Sequence, residues 1–212
     1  MRSFIFLFCA VCCLSRSVAQ TIVYDNSTSS LNNSQPLLPS WLNNSAEMGD
    51  EIWLANGPRQ ITDLKLMMSY NGTEAGTMDA RIRFRYMDEF TQRPAEAFYT
   101  SNLFSSINIL TGLNEYHFAI PQIVVPDHFL WTIEAYNRQG AAGQIGLAYF
   151  NPATVGFSDD FFWQSDAGSE WINYSWGGDP YANFGATLTA VPEPASIVAM
   201  LGGIALFRRR RK

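Results

Sequence analysis

Past its thirteenth residue the chain has no cysteine: Cys9, Cys12 and Cys13 are all it has, and they stand in the opening segment. Whatever folds after that segment does so without disulfides, thiolate-ligated zinc or a thiol nucleophile. Histidine is nearly absent too, with only His117 and His128, too few to build a histidine metal centre. No Gly-x-Ser-x-Gly elbow, Ser-x-x-Lys pair, His-Glu-x-x-His motif or phosphate-cradling glycine loop occurs. That removes the recognisable forms of nucleophilic and zinc-dependent hydrolysis. Between its two ends the chain also lacks a sustained helical stripe and an internal repeat.

What is present begins with an export signature. Residues 1–19 read as a cleavable secretory signal: Arg2, an apolar run, and Ser17-Val18-Ala19 as the small-residue site before Gln20. The apolar run is too short to span a bilayer. Residues 20–190 then make one domain of 171 residues, long enough to bury a core without staples. Seven of the 14 Lys+Arg and one of the 19 Asp+Glu lie outside it, leaving seven cations against 18 carboxylates and a net charge of −11. Nucleic acid and anionic lipid are excluded as partners, since both require a basic patch. Cations and neutral sugars suit such a surface.

Within the domain the apolar pattern has period two. Ile82, Phe84 and Tyr86 alternate with Arg81, Arg83 and Arg85, and only a strand separates those sets onto two faces. The arginine face is expected to be solvated or paired with acidic neighbours, anion binding being the other reading. Further strands are predicted over 21–25, 63–68, 116–120, 123–125, 129–136, 144–150 and 183–189. A polar loop region is expected over 26–45, with turns at Asn56-Gly57-Pro58, Asn71-Gly72 and Asn151-Pro152. The expected fold is all-β: a single antiparallel β-sandwich, jelly-roll-like, of about eight strands.

Residues 191–212 form a third part. Pro192-Glu193-Pro194 stops strand or helix continuation and makes a stiff stalk. The apolar stretch 195–207 is 13 residues long. As a helix it reaches roughly 20 Å against ~30 Å of hydrocarbon, a gap that snorkelling and local thinning close. Arg208, Arg209, Arg210, Arg211 and Lys212 follow as a cytoplasmic stop that leaves the domain outside.

Motif, apolar helix and basic end, in that order, resemble the PEP-CTERM sorting signal. The resemblance implies recognition of Pro192, Glu193 and Pro194 by an exosortase, a membrane cysteine protease that cleaves near the motif. It implies an exported protein, delivered by the secretion machinery and transiently anchored in the inner membrane by its C-terminal helix. From there it would pass to the cell surface or matrix of a bacterium that makes exopolysaccharide or biofilm. The segments Gly49-Asp50-Glu51-Ile52-Trp53-Leu54, Ile61-Thr62-Asp63-Leu64, Val125-Pro126-Asp127-His128-Phe129 and Asp159-Asp160-Phe161-Phe162-Trp163 also look like outer domains often joined to this tail. No activity attaches to that second likeness.

Segment 156–181 is chemically the richest, with eight aromatic rings among Asp159, Asp160, Asp166 and Asp179. Indole faces suit the C–H faces of sugar rings while carboxylates take the hydroxyls, so Trp163, Trp171 and Trp176 are the candidate glycan platform. Asp159 and Asp160 are candidate oxygen ligands for a structural calcium, although their spacing is not that of an EF-hand loop. No other cofactor is expected. The same aromatics also serve as the core of a sandwich without disulfides, with its aspartates in turns. The leading expectation is a non-catalytic surface or matrix protein, structural or adhesive in exopolysaccharide, and the alternative is a carbohydrate-binding module. A third reading, a secreted glycoside hydrolase, requires two facing carboxylates. Replacing Pro192, Glu193 and Pro194 together is expected to abolish trimming. The C-terminus, read by mass spectrometry, should then retain Arg208 to Lys212, and normal trimming of that variant would overturn the sorting assignment.

Overall fold

The computed structural model describes residues 19–37, 46–140, 143–166, 170–175, 177–178 and 183–193. The secretory segment up to Val18, Trp176, and the tail from Pro194 through Arg208 to Lys212 lie outside the described residues. The described chain is all-β. Its strands are β1 (Thr21–Asp25), β2 (Ser30–Pro36), β3 (Ala46–Trp53), β4 (Gln60–Tyr70), β5 (Gly76–Met87), β6 (Pro94–Thr100) and β7 (Phe104–Ile109). They continue with β8 (Gly112–Val124), β9 (His128–Gln139), β10 (Ile145–Phe150), β11 (Phe157–Asp166), β12 (Ile172–Ser175), β13 (Asn183–Phe184) and β14 (Ala186–Val191).

Two antiparallel sheets pack face to face as a sandwich. The first runs β1-β14-β4-β10-β13, with β8 along the other side of β4 and β2 on β10. Because β4 is long, two strands share one of its sides end to end: Gln60 to Leu66 face β14, and Met68 to Tyr70 face β10. Gly185 sits at that junction. Met67 N–H donates to its carbonyl (2.8 Å) and its own N–H donates to Ala148 (2.9 Å). A Cβ here would lie 2.5 Å from the Phe150 ring, so only glycine fits. The second sheet runs β12-β11-β3-β9-β5-β6, with β7 also on β5.

The core follows from strand alternation. Met78, Ala80, Ile82 and Phe84 of β5 and Phe129, Trp131, Ile133 and Ala135 of β9 are all fully buried. From the first sheet come Leu64, Leu66 and Met68 of β4, Leu147 of β10 and Leu188 of β14. Aromatic pairs lock the layers, with Phe104 of β7 edge-on to Phe118 of β8 at 5.1 Å and Trp131 of β9 against Phe184 of β13 at 6.2 Å.

The strands predicted at 21–25, 80–86 and 129–136 lie within β1, β5 and β9, and that predicted at 144–150 overlaps β10, which begins one residue later. Within the expected loop region 26–45, residues 38–45 lie outside the described residues, and Ser30–Pro36 instead form β2, which pairs with β10. Its polar sequence SLNNSQP and positive φ at Asn32 leave no alternation to read. Segments 116–120 and 123–125 prove to be mostly one strand. β8 carries Pro121 through a register shift opposite Ile61 and Asp63, which an edge strand tolerates because that residue needs no ladder donor.

One pole of the sandwich gathers both described chain ends. Thr21 pairs with Ala190 and Val191 with Gln60. The loop from Trp53 to Gln60 crosses between the sheets at this same pole, where Leu54 N–H donates to Asp127 and Val125 N–H donates to Arg59.

Asp50 of β3 is fully buried among this apolar packing. Its Oδ2 accepts from the Phe184 backbone N–H across the sandwich at 3.2 Å. Its Oδ1, the Trp131 indole N–H and both amide atoms of Asn183 are buried with no hydrogen-bond partner among the described residues. Burial pushes the Asp50 carboxyl well above the usual carboxylate range. The Phe184 N–H opposes that shift, and the nearby Glu51 and Asp159 charges reinforce it. The folded chain thus holds a proton that the unfolded chain releases near pH ~4. Above that pH the folded state binds more protons than the unfolded, so stability falls as pH rises until the folded carboxyl ionises. In thermal melts, Asp50→Asn is expected to gain on the parent progressively as pH is raised from ~4 to neutrality. A gap independent of pH would contradict the assignment.

Candidate functional site

The pleat of β3 turns Met48, Asp50 and Ile52 inward and presents Glu47, Glu51 and Trp53 on the outer face of the second sheet. Opposite Glu51 the β11 ladder breaks. Ser158 pairs with Ile52 and Phe162 with Asp50, so Asp159, Asp160 and Phe161 together oppose the single residue Glu51. Such a bulge bends the strand and re-aims its side chains.

The result is an open cleft of about 630 Å³ on that face, toward the pole that gathers the chain ends. This volume lies within the range of small-ligand pockets. Glu51 and Trp53 of β3 and His128 of β9 form its centre, and Asp159, Phe161 and Trp163 of β11 form one wall. The opposite wall is the β5–β6 turn, with Tyr86, Asp88, Glu89 and Gln92, and Asp127 stands at the β8–β9 loop.

Glu51 is held on both oxygens and is 8 % exposed. His128 Nε2 lies 2.6 Å from Oε1, and the Trp163 indole N–H donates to Oε2 at 3.2 Å. The His128 ring stacks on Trp53 with centroids 4.2 Å apart and planes 6° from parallel, and Trp53 also meets Phe157 at 5.3 Å. The cleft thus has a fixed acceptor, flat apolar faces and five carboxylates, with no Lys or Arg among its described lining residues. Asp127 pairs with Arg59, which is anchored on the carbonyls of Ala55, Gly57 and Pro58.

Beyond Glu51 along the same face lies the arginine stripe. Glu47 accepts from Arg83 Nη1 (2.9 Å), Arg85 Nε (2.8 Å) and Nη2 (3.0 Å), and the Thr132 hydroxyl (2.6 Å). Arg83 also reaches Glu134 at 2.8 Å. The Arg81 guanidinium lies over the Tyr136 ring at 5.8 Å. Of the two readings of this stripe, acidic pairing is the one the structure adopts for Arg83 and Arg85.

Trp163 is 5 % exposed and contributes to the cleft through its wall and its N–H. Trp171 does not line the cleft, and its ring lies under the Arg85 guanidinium at 5.2 Å. Trp176 lies outside the described residues. Asp159 lines the cleft and Asp160 is buried beside it. Among the described residues no group of three or more His, Asp or Glu side chains is arranged to hold a metal ion. Pro192 and Glu193 follow directly on β14 and are half-buried, while Pro194 lies outside the described residues. Among the described residues no helix is long and apolar enough to cross a membrane.

The central residues Glu51, Trp53 and His128 were not among the sequence candidates. The available signal was the alternation of β3, which puts Glu51 and Trp53 on one face. His128 joins them only through the Trp53–His128 register of β3 and β9. Comparison with protein-family models, with curated proteins and with solved structures finds no match.

Because Glu47 neutralises two guanidinium groups while its side chain is only 13 % exposed, Glu47→Ala is expected to cost about 3 kcal/mol by urea unfolding. A loss under ~1 kcal/mol, the scale of an exposed pair, would show that the network is not a structural unit.

Proposed function

We propose that this chain is an exported, non-catalytic surface or matrix protein whose second sheet binds neutral polysaccharide in the Glu51–Trp53–His128 cleft. The carrying observation is a cavity of small-ligand size that combines flat aromatic faces with fixed carboxylate acceptors. Sugars need both, because their C–H faces stack on rings and their hydroxyls donate to carboxylates. Five carboxylates with no lining Lys or Arg, of which only Asp127 is paired with an arginine, disfavour uronate or sulfated polymers by like-charge repulsion. Glu51 has both oxygens engaged, which suits a positioning acceptor better than a group that must shuttle a proton.

In this reading the fold is a jelly roll. Supporting it, the first sheet places the opening strands β1 and β2 beside the closing strands β14 and β10, then β4, then β8. The second sheet places β3 beside β9, then β5, then β6 and β7. Two interleaved Greek keys produce this order, with β11 and β12 added beside β3. Export and sorting rest on residues 1–19 and on the PEP-CTERM-like end, with exosortase and secretion machinery as processing partners. The protein would be anchored briefly in the inner membrane and then displayed at the surface or in the matrix.

Affinity electrophoresis in gels containing dextran, hydroxyethylcellulose, galactomannan or alginate tests the cleft. Retardation is expected in at least one neutral gel and none in alginate. Trp53→Ala should abolish it while still melting cooperatively. Free migration of the parent in every neutral gel would remove the glycan reading.

A further inference from the structure

The turn forming one wall of the cleft displays a side chain that the fold itself does not use. Phe90 is 97 % exposed, more than any other large apolar side chain among the described residues. It does not sit on a loose tip. The Asp88 carboxylate accepts from the backbone N–H groups of Phe90 (2.9 Å) and Thr91 (2.7 Å). Gln92 N–H donates to the Asp88 carbonyl (2.8 Å) and Asp88 N–H to the Arg93 carbonyl (2.9 Å). The Thr91 amide above all holds the Asp88 carboxyl below its ordinary range. Gln92 takes a left-handed φ of 54°, and Arg93 forms an ion pair with Glu170, on the connection to β12. The turn is thus ordered around Asp88 and tied to the far side of the cleft, with Phe90 pointing at nothing in its own chain.

Asp88, Glu89 and Gln92 of this turn line the cleft. At its base Tyr86, also exposed, packs on Phe98 at 4.6 Å. Phe90 stands between the cleft-lining residues Glu89 and Gln92 without itself lining the cleft, up to about 10 Å of chain beyond Met87. We propose that Phe90 is a second, outlying contact for the same ligand, so that the protein selects glycan chains long enough to run from the Trp53–His128 wall to the turn over short oligosaccharides. This rests on the glycan reading of the cleft. A single sugar filling the centre would leave Phe90 untouched, whereas a polymer gains one more stacked ring.

The test compares parent, Phe90→Ala and Phe90→Trp in hydroxyethylcellulose and galactomannan gels, and by calorimetry with the corresponding short oligosaccharides. Phe90→Ala is expected to weaken polymer binding roughly tenfold, the scale of one lost aromatic contact. It should leave short-oligosaccharide affinity within about twofold of the parent's, and Phe90→Trp should restore polymer binding. A polymer affinity unchanged in Phe90→Ala while Trp53→Ala is inactive would overturn this inference and leave the cleft reading standing. Equal losses on polymer and short oligosaccharide would overturn the length selection. Failure of the parent to bind either polymer would overturn this inference, and free migration in dextran as well would overturn the glycan reading with it.

Discussion

The pleat of β3 is the constraint on which the rest depends. Eight residues, Ala46–Trp53, face both sides of one sheet at the middle of the sandwich, flanked by β11 and β9. Asp50 faces inward to meet the opposite sheet at Phe184. Glu47 and Glu51, on the other face, organise the arginine stripe and the cleft. A slip of one residue would exchange these roles and drive two hydrogen-bonded carboxylates into an apolar core. The complete β3–β9 register, unbroken from Glu47 through Trp53, prevents that slip. On the other flank the register is broken only opposite Glu51, so the irregularity falls where the cleft needs room.

Glu47 and Glu51 show how differently one residue type behaves on a single strand. Glu47 meets two guanidinium groups and a hydroxyl and is consumed by the fold. Glu51 meets a histidine ring and an indole N–H, partners that fix its direction, and its surroundings are carboxylates and aromatic faces. The first arrangement closes a surface and the second leaves one open.

Much of the architecture was legible because apolar alternation is a local signal. Ile82, Phe84 and their neighbours needed nothing but period two to be placed. Strands β2, β3, β6, β7, β11 and β12 escaped reading. β2 is mostly polar and β12, exposed at the sheet edge, has no buried face to alternate with, whereas in β3 the buried carboxylate of Asp50 stands among the inward apolar residues and hides the alternation. The cleft was legible only in part. Segment 156–181 drew attention by composition, and its Asp159, Phe161 and Trp163 do line the site. Their partners come from positions more than a hundred residues earlier in Glu51 and Trp53, and from the β5–β6 turn. Those meetings are set by strand register and by a bulge, which follow from pairing between distant segments and leave no trace in local composition. Trp171 illustrates the converse, since its neighbours suggested a ligand and its ring serves an arginine.

The meeting of β1 and β14 at one pole has a mechanical consequence. Thr21 lies opposite Ala190, and the Glu51 cleft opens toward the same end. Tension between Val191 and anything gripped near Trp53 enters and leaves the sandwich at that one end, so most of the body bears no load. Force at Val191 meets the rungs between β14 and β4 from their terminal end, beginning with Val191 and Gln60. They would open one after another, as a zip does, and not all at once in shear. Under strain the domain would therefore yield by fraying its last strand first, while the layers that shape the cleft stay packed.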